Sequence, residues 1–268
     1  MIKTLVPLPS HRPKIKAALF DFDGTLSTLR HGWESVMKPL CLEMISGNSP
    51  VTPELEREVS EYIETSTGIQ TIHQMIWLAE RVHSYGQNPS SPTDPWWYKA
   101  EYNRRLMEAI QSRIEDVASG RKSKESYLMK GSEAFLQGLK ERGIAIYVAS
   151  GTDHPDVMNE SGVLGLQPYF NEIAGAPIGK IDCSKEAVLR KLAEDHNLKG
   201  MEVVVVGDGK VEIALGREMG AIALGIASDE ERGEGFNPDK ERRLTNAGAH
   251  ALIGDFGDCE ELFNYLFP

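Results

Sequence analysis

The chain has 268 residues, of which 41% are hydrophobic and 26% are charged, and its formal net charge is -11. These values are typical of a globular protein with one large domain or two smaller ones. The acidic balance argues against a nucleic-acid partner, which requires a basic surface. No stretch has the apolar length of a membrane span or a signal peptide, and the three cysteines lie far apart. We therefore expect a cytoplasmic protein with no membrane partner.

A short apolar strand comes first in chain order and ends in two carboxylates. Residues 17–20 are apolar, Asp21 and Asp23 follow with one residue between them, and Gly24 comes next. Side chains alternate along an extended chain, so both carboxylates can face one side. Two close like charges repel each other and are best tolerated around a cation. The segment therefore predicts a hard-metal site, with Mg²⁺ as the cofactor and one carboxylate available as nucleophile or base.

A helical segment follows the first strand. Apolar side chains recur every three or four residues from Ile72 to Val82 and again from Tyr102 to Val117, as on the buried face of a helix. Several prolines divide the segment at points typical of helix boundaries. The predicted domains are an α/β core over 1–28 and 130–268 and a helical domain over 29–129.

Strands and helices alternate in the rest of the chain. The predicted strands are 144–149, 172–175, 201–207, 221–225 and 251–253, with helices at 184–197 and 211–219 between them. Such alternation indicates parallel strands joined by crossover helices. The predicted fold class is α/β, with a doubly wound, mostly parallel sheet and an all-α domain inserted after its first strand.

Polar residues follow three of these strands at the point where each ends. Because parallel strands end at the same edge of a sheet, we expect these residues to share one site with Asp21 and Asp23. They are Ser150, Gly151 and Thr152 after the second strand of the core, Lys180 and Lys185 near a helix start, and Asp208 and Glu212 after the valine-rich strand. Carboxylates for a metal, combined with a hydroxyl, a lysine and helix N-termini for an anion, are suited to a phosphoryl group.

In this order and setting the motifs resemble those of the haloacid dehalogenase (HAD) superfamily of phosphohydrolases. The first motif corresponds to residues 21–25, the second to Ser150, the third to Lys185 or, less well, Lys180, and the fourth to residues 207–212. The inserted helical segment resembles the mobile cap of that superfamily. The resemblance implies a phosphoric monoester hydrolase that acts on a small phosphorylated metabolite.

The resemblance also implies a role for each matching residue. Asp21 would attack phosphorus and form an aspartyl-phosphate, and Asp23 would act as general acid and then as general base. Ser150 and Lys185 would hold the phosphoryl oxygens. The Mg²⁺ ligands would be Asp21, Asp23 through its backbone carbonyl, Asp208 and Glu212. Glu212 would contact the metal through a water molecule or orient Lys185, and it departs from the aspartate that is common at its position, which leaves its exact contact open.

Four further residues are candidates for substrate binding. Gly151 and Thr152 follow the second motif, and Arg30 and Trp33 come soon after the nucleophile loop. An arginine fork matches the geometry of a carboxylate or a phosphate, which favours a sugar phosphate or an organic-acid phosphate. Packing between domains is an equally good interpretation of Arg30 and Trp33.

The motifs leave other functions open. A sugar phosphomutase would use the same pair of aspartates, and only its product would distinguish it from a phosphatase. A non-catalytic protein that binds a phosphorylated ligand on the same scaffold is the second alternative, although the retention of Asp21, Asp23 and Asp208 argues against it.

Overall fold

The structure is a computed structural model that describes residues 2–179, 185–232 and 235–267, apart from the side chain of Lys185. The chain divides into two compact units. The first consists of Met1–His31 and Arg113–Pro268, and the second is Gly32–Ser112.

The first unit is built around a sheet that has seven strands among the described residues, in the order β1-β7-β6-β5-β2-β3-β4. The strands are β1 (Ile2–Thr4), β2 (Ala17–Phe20), β3 (Ala145–Asp153), β4 (Glu172–Ala176), β5 (Val203–Gly207), β6 (Ile222–Ile226) and β7 (Ala251–Ile253). Every pairing is parallel except that of β1 with β7. β2 lies between β3 and β5, so the strands that carry the predicted motifs are neighbours.

Ten α-helices complete the described part of the chain. Those of the first unit are α5 (Ser132–Glu141), α6 (His154–Val163), α7 (Lys185–Asp195), α8 (Lys210–Glu218), α9 (Pro238–Asn246) and α10 (Cys259–Leu266). Those of the second unit are α1 (Glu34–Ser46), α2 (Pro53–Thr65), α3 (Thr71–Tyr85) and most of α4 (Pro95–Ala118). None of the helices in the described ranges is both long and apolar enough to cross a membrane.

The central strands are hydrophobic on both faces because helices cover both sides of the sheet. All residues of β2 and β5 are buried. On one face, Leu19 and Val205 belong to a core cluster with Leu189 of α7 and Leu215 of α8. On the other face, the ring of Phe20 packs edge-on against that of Phe135 in α5. This arrangement explains the continuous apolar strands and confirms the predicted doubly wound α/β class.

The helices of the second unit follow the predicted periodicity. Along α3 the buried residues include Ile72, Met75 and Val82, which are spaced as the sequence pattern requires. α2 begins with Thr52 as its N-cap, whose hydroxyl accepts a hydrogen bond from the Leu55 amide at 3.2 Å. The helical segment between β2 and β3 is thus an ordered set of helices.

The units divide at different residues from the predicted domains. The second unit ends at Ser112, inside α4, rather than at 129. The remainder of α4 belongs to the first unit, where Arg113 donates hydrogen bonds to the carbonyl oxygens of Leu29 and His31 at 2.8 and 2.9 Å. A continuous helical pattern does not reveal such long-range contacts. The sequence also gives no signal for β1, because its three residues carry too little periodicity to identify a strand.

His250 links three parts of the first unit. Its Nδ1 accepts a hydrogen bond from the Ala223 amide in β6 at 3.0 Å, and its carbonyl oxygen accepts one from Leu5 at 2.8 Å. Its ring also contacts the guanidinium of Arg217 in α8. Burial and the Arg217 charge lower the pKa of His250 to about 4. The folded protein therefore holds this imidazole neutral, with Nδ1 as the acceptor.

We expect the protein to lose stability on acidification through this histidine. The unfolded chain takes up a proton near pH 6.5 and the folded chain only near pH 4, so the free energy of unfolding falls as the pH drops between these values, by up to about 3 kcal/mol. Urea unfolding as a function of pH measures the effect. His250→Asn keeps an acceptor near the position of Nδ1 without titrating, so its stability should depend less on pH. The exposed His83→Asn serves as the control, and equal pH dependence in all three proteins would contradict the prediction.

Candidate active site

The carboxyl ends of β2, β3 and β5 lie side by side at one edge of the sheet. Phe20 at the end of β2 is in register with Val148 of β3 and with Val206 of β5. The ladder continues one residue further, because the Asp21 amide donates a hydrogen bond to the Val206 carbonyl oxygen at 2.9 Å. This register brings the residue after β2 next to the residues after β5.

Three carboxylates converge at this edge. Oxygens of Asp21, Asp208 and Glu212 lie within 4.8 Å of one another. All three residues are buried, with 5%, 9% and 0% of their surface exposed. Glu212 lies in the first turn of α8, and its Oε1 accepts a hydrogen bond from the Gly209 amide at 2.6 Å. The structure thus brings together three of the four predicted metal-binding residues by their carboxylates.

The donor set fits a hard divalent cation. The cluster offers only oxygen atoms, which Mg²⁺ prefers, and three buried negative charges in close proximity favour a bound cation. Gly24 leaves room for the Asp208 carboxylate, because a Cβ at this position would lie 2.5 Å from Oδ2 of Asp208. The glycine of the first motif therefore permits the close approach of the Asp208 carboxylate, which follows β5.

The side chain of Asp23 has different partners. Its Oδ2 accepts hydrogen bonds from Thr152 Oγ1 at 2.7 Å and from Ser150 Oγ at 3.3 Å. Its Oδ1 is buried and has no hydrogen-bond partner. The Asp23 carboxylate thus faces the end of β3 and lies outside the three-carboxylate group, which leaves its backbone carbonyl as the predicted metal ligand.

The second motif continues β3 instead of forming a loop. β3 extends to Asp153, with an irregular register between Ala149 and Asp153, so Ser150, Gly151 and Thr152 lie within the strand. Ser150 Oγ also accepts a hydrogen bond from the Thr152 amide at 3.0 Å. Thr152, predicted as a substrate-binding residue, is the closest described hydrogen-bond donor to the Asp23 carboxylate.

The predicted phosphate-binding lysines cannot be placed at the site. Lys180 lies outside the described residues, as does the side chain of Lys185, whose backbone begins α7. A lysine that sequence reasoning missed does lie there. Lys240 of α9 is largely buried, its Nζ is 2.9 Å from Asp208 Oδ2, and it also pairs with Glu230.

The first two turns of α9 hold Asp208 at two points. Besides the ion pair from Lys240, Arg243 donates a hydrogen bond to the Asp208 carbonyl oxygen at 3.1 Å. Burial alone lowers the pKa of Lys240, but the carboxylates of Asp208 and Glu230 outweigh it and raise the pKa above its ordinary value. An asparagine N-cap followed by Pro238 is a recognisable helix start, so α9 could have been predicted from the sequence. No sequence signal indicates that Lys240 of this helix pairs with Asp208.

Glu230 connects this lysine to the end of the nucleophile loop. Its carboxylate pairs with Lys240 and lies 3.5 Å from Nδ1 of His31. Burial disfavours the charged carboxylate, but the hydrogen bond with His31 and the Lys240 charge lower the pKa of Glu230 to about 2. Glu230 therefore remains ionised at neutral pH.

Arg30 is bound by carboxylates of the protein itself. Its Nε and Nη2 donate to the buried Glu160 of α6 at 2.6 to 3.1 Å, and Nη2 also reaches Asp156 at 3.4 Å. Burial alone lowers the pKa of Arg30, whereas the charges of Glu160 and Asp23 raise it above its ordinary value. Trp33, the other predicted residue of this region, precedes α1 in the second unit, and its role stays a prediction.

A family model of haloacid dehalogenase-like hydrolases matches residues 15–220, which is more than half of the chain. The chain belongs to this family. The resemblance identified from the motifs and the predicted enzyme class, a hydrolase of this superfamily, are thereby confirmed.

A curated relative of this HAD-like hydrolase is the phosphoserine phosphatase of Campylobacter jejuni subsp. doylei, which is 35% identical over 103 residues. The match covers 35% of this chain and only 50% of that protein.

Solved structures share the fold at low sequence identity. A predicted phosphatase from Clostridium acetobutylicum has a TM-score of 0.60 at 17% identity, with 94% of this chain and 99% of that chain covered. The β-phosphoglucomutase of Clostridium difficile has a TM-score of 0.63 at 17% identity, with 94% and 97% covered. A predicted phosphoglycolate phosphatase from Haemophilus somnus gives 0.60 at 17% identity, with 94% and 99% covered. At this identity the likeness concerns the fold of the HAD-like hydrolase alone.

Proposed function

We propose that the chain is a Mg²⁺-dependent phosphatase that hydrolyses a small phosphorylated metabolite, either a sugar phosphate or an organic-acid phosphate, through an aspartyl-phosphate. The observation that carries the proposal is the cluster of Asp21, Asp208 and Glu212, with Asp23 held beside it by Thr152. One carboxylate can thus attack while another transfers a proton. The phosphoserine phosphatase relative supports the same reaction class.

The first half-reaction transfers the phosphoryl group to the enzyme. A carboxylate oxygen of Asp21 attacks phosphorus, and the bond between phosphorus and the ester oxygen breaks. Asp23 gives its proton to the departing oxygen, so the product leaves as an alcohol. When bound by Asp21, Asp208, Glu212 and the Asp23 carbonyl, Mg²⁺ supplies positive charge next to the phosphoryl oxygens. Ser150 and Lys185 are the proposed donors to those oxygens.

The second half-reaction regenerates the enzyme. Asp23, now ionised, takes a proton from a water molecule whose oxygen attacks phosphorus. The bond between phosphorus and Asp21 breaks, inorganic phosphate leaves, and the Asp21 carboxylate is restored. The hydrogen bonds from Thr152 and Ser150 would hold Asp23 in place for both transfers.

Phosphate release from a broad panel of phosphomonoesters tests this function. We expect release with Mg²⁺, a loss of at least about 100-fold after EDTA treatment, and recovery on adding excess Mg²⁺. Binding of Mn²⁺, followed by its electron paramagnetic resonance signal, tests the metal site independently of activity. Formation of an isomer without phosphate release would identify a phosphomutase instead, and ligand binding without turnover would identify a binding protein.

A further inference from the structure

Glu160 is a buried carboxylate that the proposed chemistry does not use. It lies on α6 with 1% of its surface exposed, and it binds Arg30 through both of its oxygens. A fork of this kind fixes the plane of the guanidinium. If Arg30 moved away, the buried Glu160 carboxylate would be left without a compensating charge, which is strongly unfavourable. The ion pair therefore holds Arg30 in one position.

The locked guanidinium faces the free side of Asp23. Arg30 Nε lies 3.8 Å from Asp23 Oδ1, the buried oxygen that accepts no hydrogen bond. The other oxygen of the same carboxylate accepts the hydrogen bond from Thr152. A carboxylate held at one oxygen can still rotate about its Cβ–Cγ bond, whereas one that also faces a fixed charge cannot rotate freely. Together, Thr152 and Arg30 determine the orientation of the Asp23 carboxylate.

We propose that Arg30, anchored by Glu160, is a positioning residue for Asp23, the general acid and base of the proposed phosphatase reaction. The inference rests on that proposed function. It also differs from the sequence interpretation of Arg30 as a substrate ligand, because the described contacts of its guanidinium are all with carboxylates of the protein.

Proton transfer from Asp23 matters only for some leaving groups. A benzyl alkoxide is a poor leaving group and must receive a proton as its bond to phosphorus breaks. A p-nitrophenolate is stable as an anion and can leave without one. Two phosphomonoesters of similar size, one with an alkyl and one with an aryl leaving group, therefore report on different parts of the site. Hydrolysis of benzyl phosphate depends on the general acid. Hydrolysis of p-nitrophenyl phosphate depends on the nucleophile, the metal and the binding of the phosphoryl group.

The test compares kcat/KM for these two esters in the Mg²⁺-loaded enzyme and in Arg30→Gln. We expect the loss with benzyl phosphate to exceed the loss with p-nitrophenyl phosphate by at least about 10-fold, since general acid catalysis contributes factors of this order or larger. Arg30→Lys keeps a positive charge near Asp23 and should recover part of the difference. Asp156→Asn removes only the outer ion pair of Arg30 and should affect both esters equally.

A second variant covers the case in which Arg30→Gln does not fold because Glu160 is left unpaired. Replacing both members together, Arg30→Met with Glu160→Met, removes the buried charges and should show the same preference for p-nitrophenyl phosphate. Circular dichroism and thermal unfolding check that each protein is folded.

The outcomes separate this inference from the proposed function. If the wild-type protein hydrolyses neither ester nor any compound of the phosphomonoester panel, the proposed function fails. If it hydrolyses both esters and the Arg30 variants lose both rates by the same factor, the proposed function stands and the positioning role of Arg30 is refuted.

Discussion

Replacing Asp21 by Asn is expected to abolish phosphate release and to leave the fold intact. The amide has nearly the shape of the carboxylate, but it carries no charge and cannot attack phosphorus. Loss of a nucleophile of this kind costs at least about 1,000-fold in kcat. Asp21 is the first residue beyond β2, and its backbone continues the ladder to Val206, so the substitution changes no strand pairing. Steady-state phosphate release at saturating Mg²⁺ measures the effect.

The control for this variant is another aspartate replaced in the same way. Asp195 ends α7, its side chain is 51% exposed, and it pairs with Lys191. Asp195→Asn should therefore keep full activity. Mass spectrometry of both variants after incubation with substrate gives a second readout. A transient phosphorylated form should appear in Asp195→Asn, which keeps Asp21, and should be absent in Asp21→Asn. Turnover by Asp21→Asn near the wild-type rate would refute the aspartyl-phosphate mechanism.

The positions of the parallel strands along the chain and the residues at their ends could be predicted from the sequence because both depend on local patterns. The four valines of 203–206 form a strand buried on both faces, and an Asp after such a strand lies at the carboxyl edge. The convergence of Asp21, Asp208 and Glu212 follows from the parallel register alone, without knowledge of any side-chain contact.

The ion pairs around this cluster could not be predicted, because each joins residues far apart in the chain. Arg30 meets Glu160 across 130 positions, and an unpaired arginine at a loop looks the same in sequence as a paired one. Lys240 reaches Asp208 from α9, the helix that follows β6 in the chain, and no spacing rule connects the two residues. Sequence patterns thus indicate which strand ends meet at the edge of the sheet. The ion-pair partner of each charged side chain depends on tertiary packing, which these patterns do not show.

Among substitutions outside the metal ligands, Gly24→Ala is expected to weaken metal binding most. Gly24 has a φ of +72°, and Asp208 Oδ2 occupies the space beside it that a side chain would need. A Cβ built on Gly24 would lie only 2.5 Å from that oxygen. An alanine therefore has two separate costs. The left-handed backbone costs about 1 kcal/mol in any L-residue, and the methyl group collides with a carboxylate that Lys240 and the cluster hold in place.

Gly143→Ala separates the two costs. Gly143 has a φ of +70°, but a Cβ there would meet no atom within 4 Å, so this variant carries only the backbone strain. Both variants should lose a similar amount of stability from the backbone in urea unfolding, about 1 kcal/mol. Only Gly24→Ala should bind Mn²⁺ more weakly and lose about 100-fold in kcat/KM, since a displacement of about 1 Å in a catalytic group costs that much.

The comparison tests whether the glycine of the first motif serves the metal site or only the turn. If the turn alone required it, Gly24→Ala and Gly143→Ala would show the same activity and the same Mn²⁺ affinity. If the metal site requires the close approach of Asp208 to Gly24, Gly24→Ala should bind Mn²⁺ more weakly than Gly143→Ala, although both variants carry the same backbone strain. A serine at position 24 should behave like the alanine, because its Cβ meets the same carboxylate oxygen.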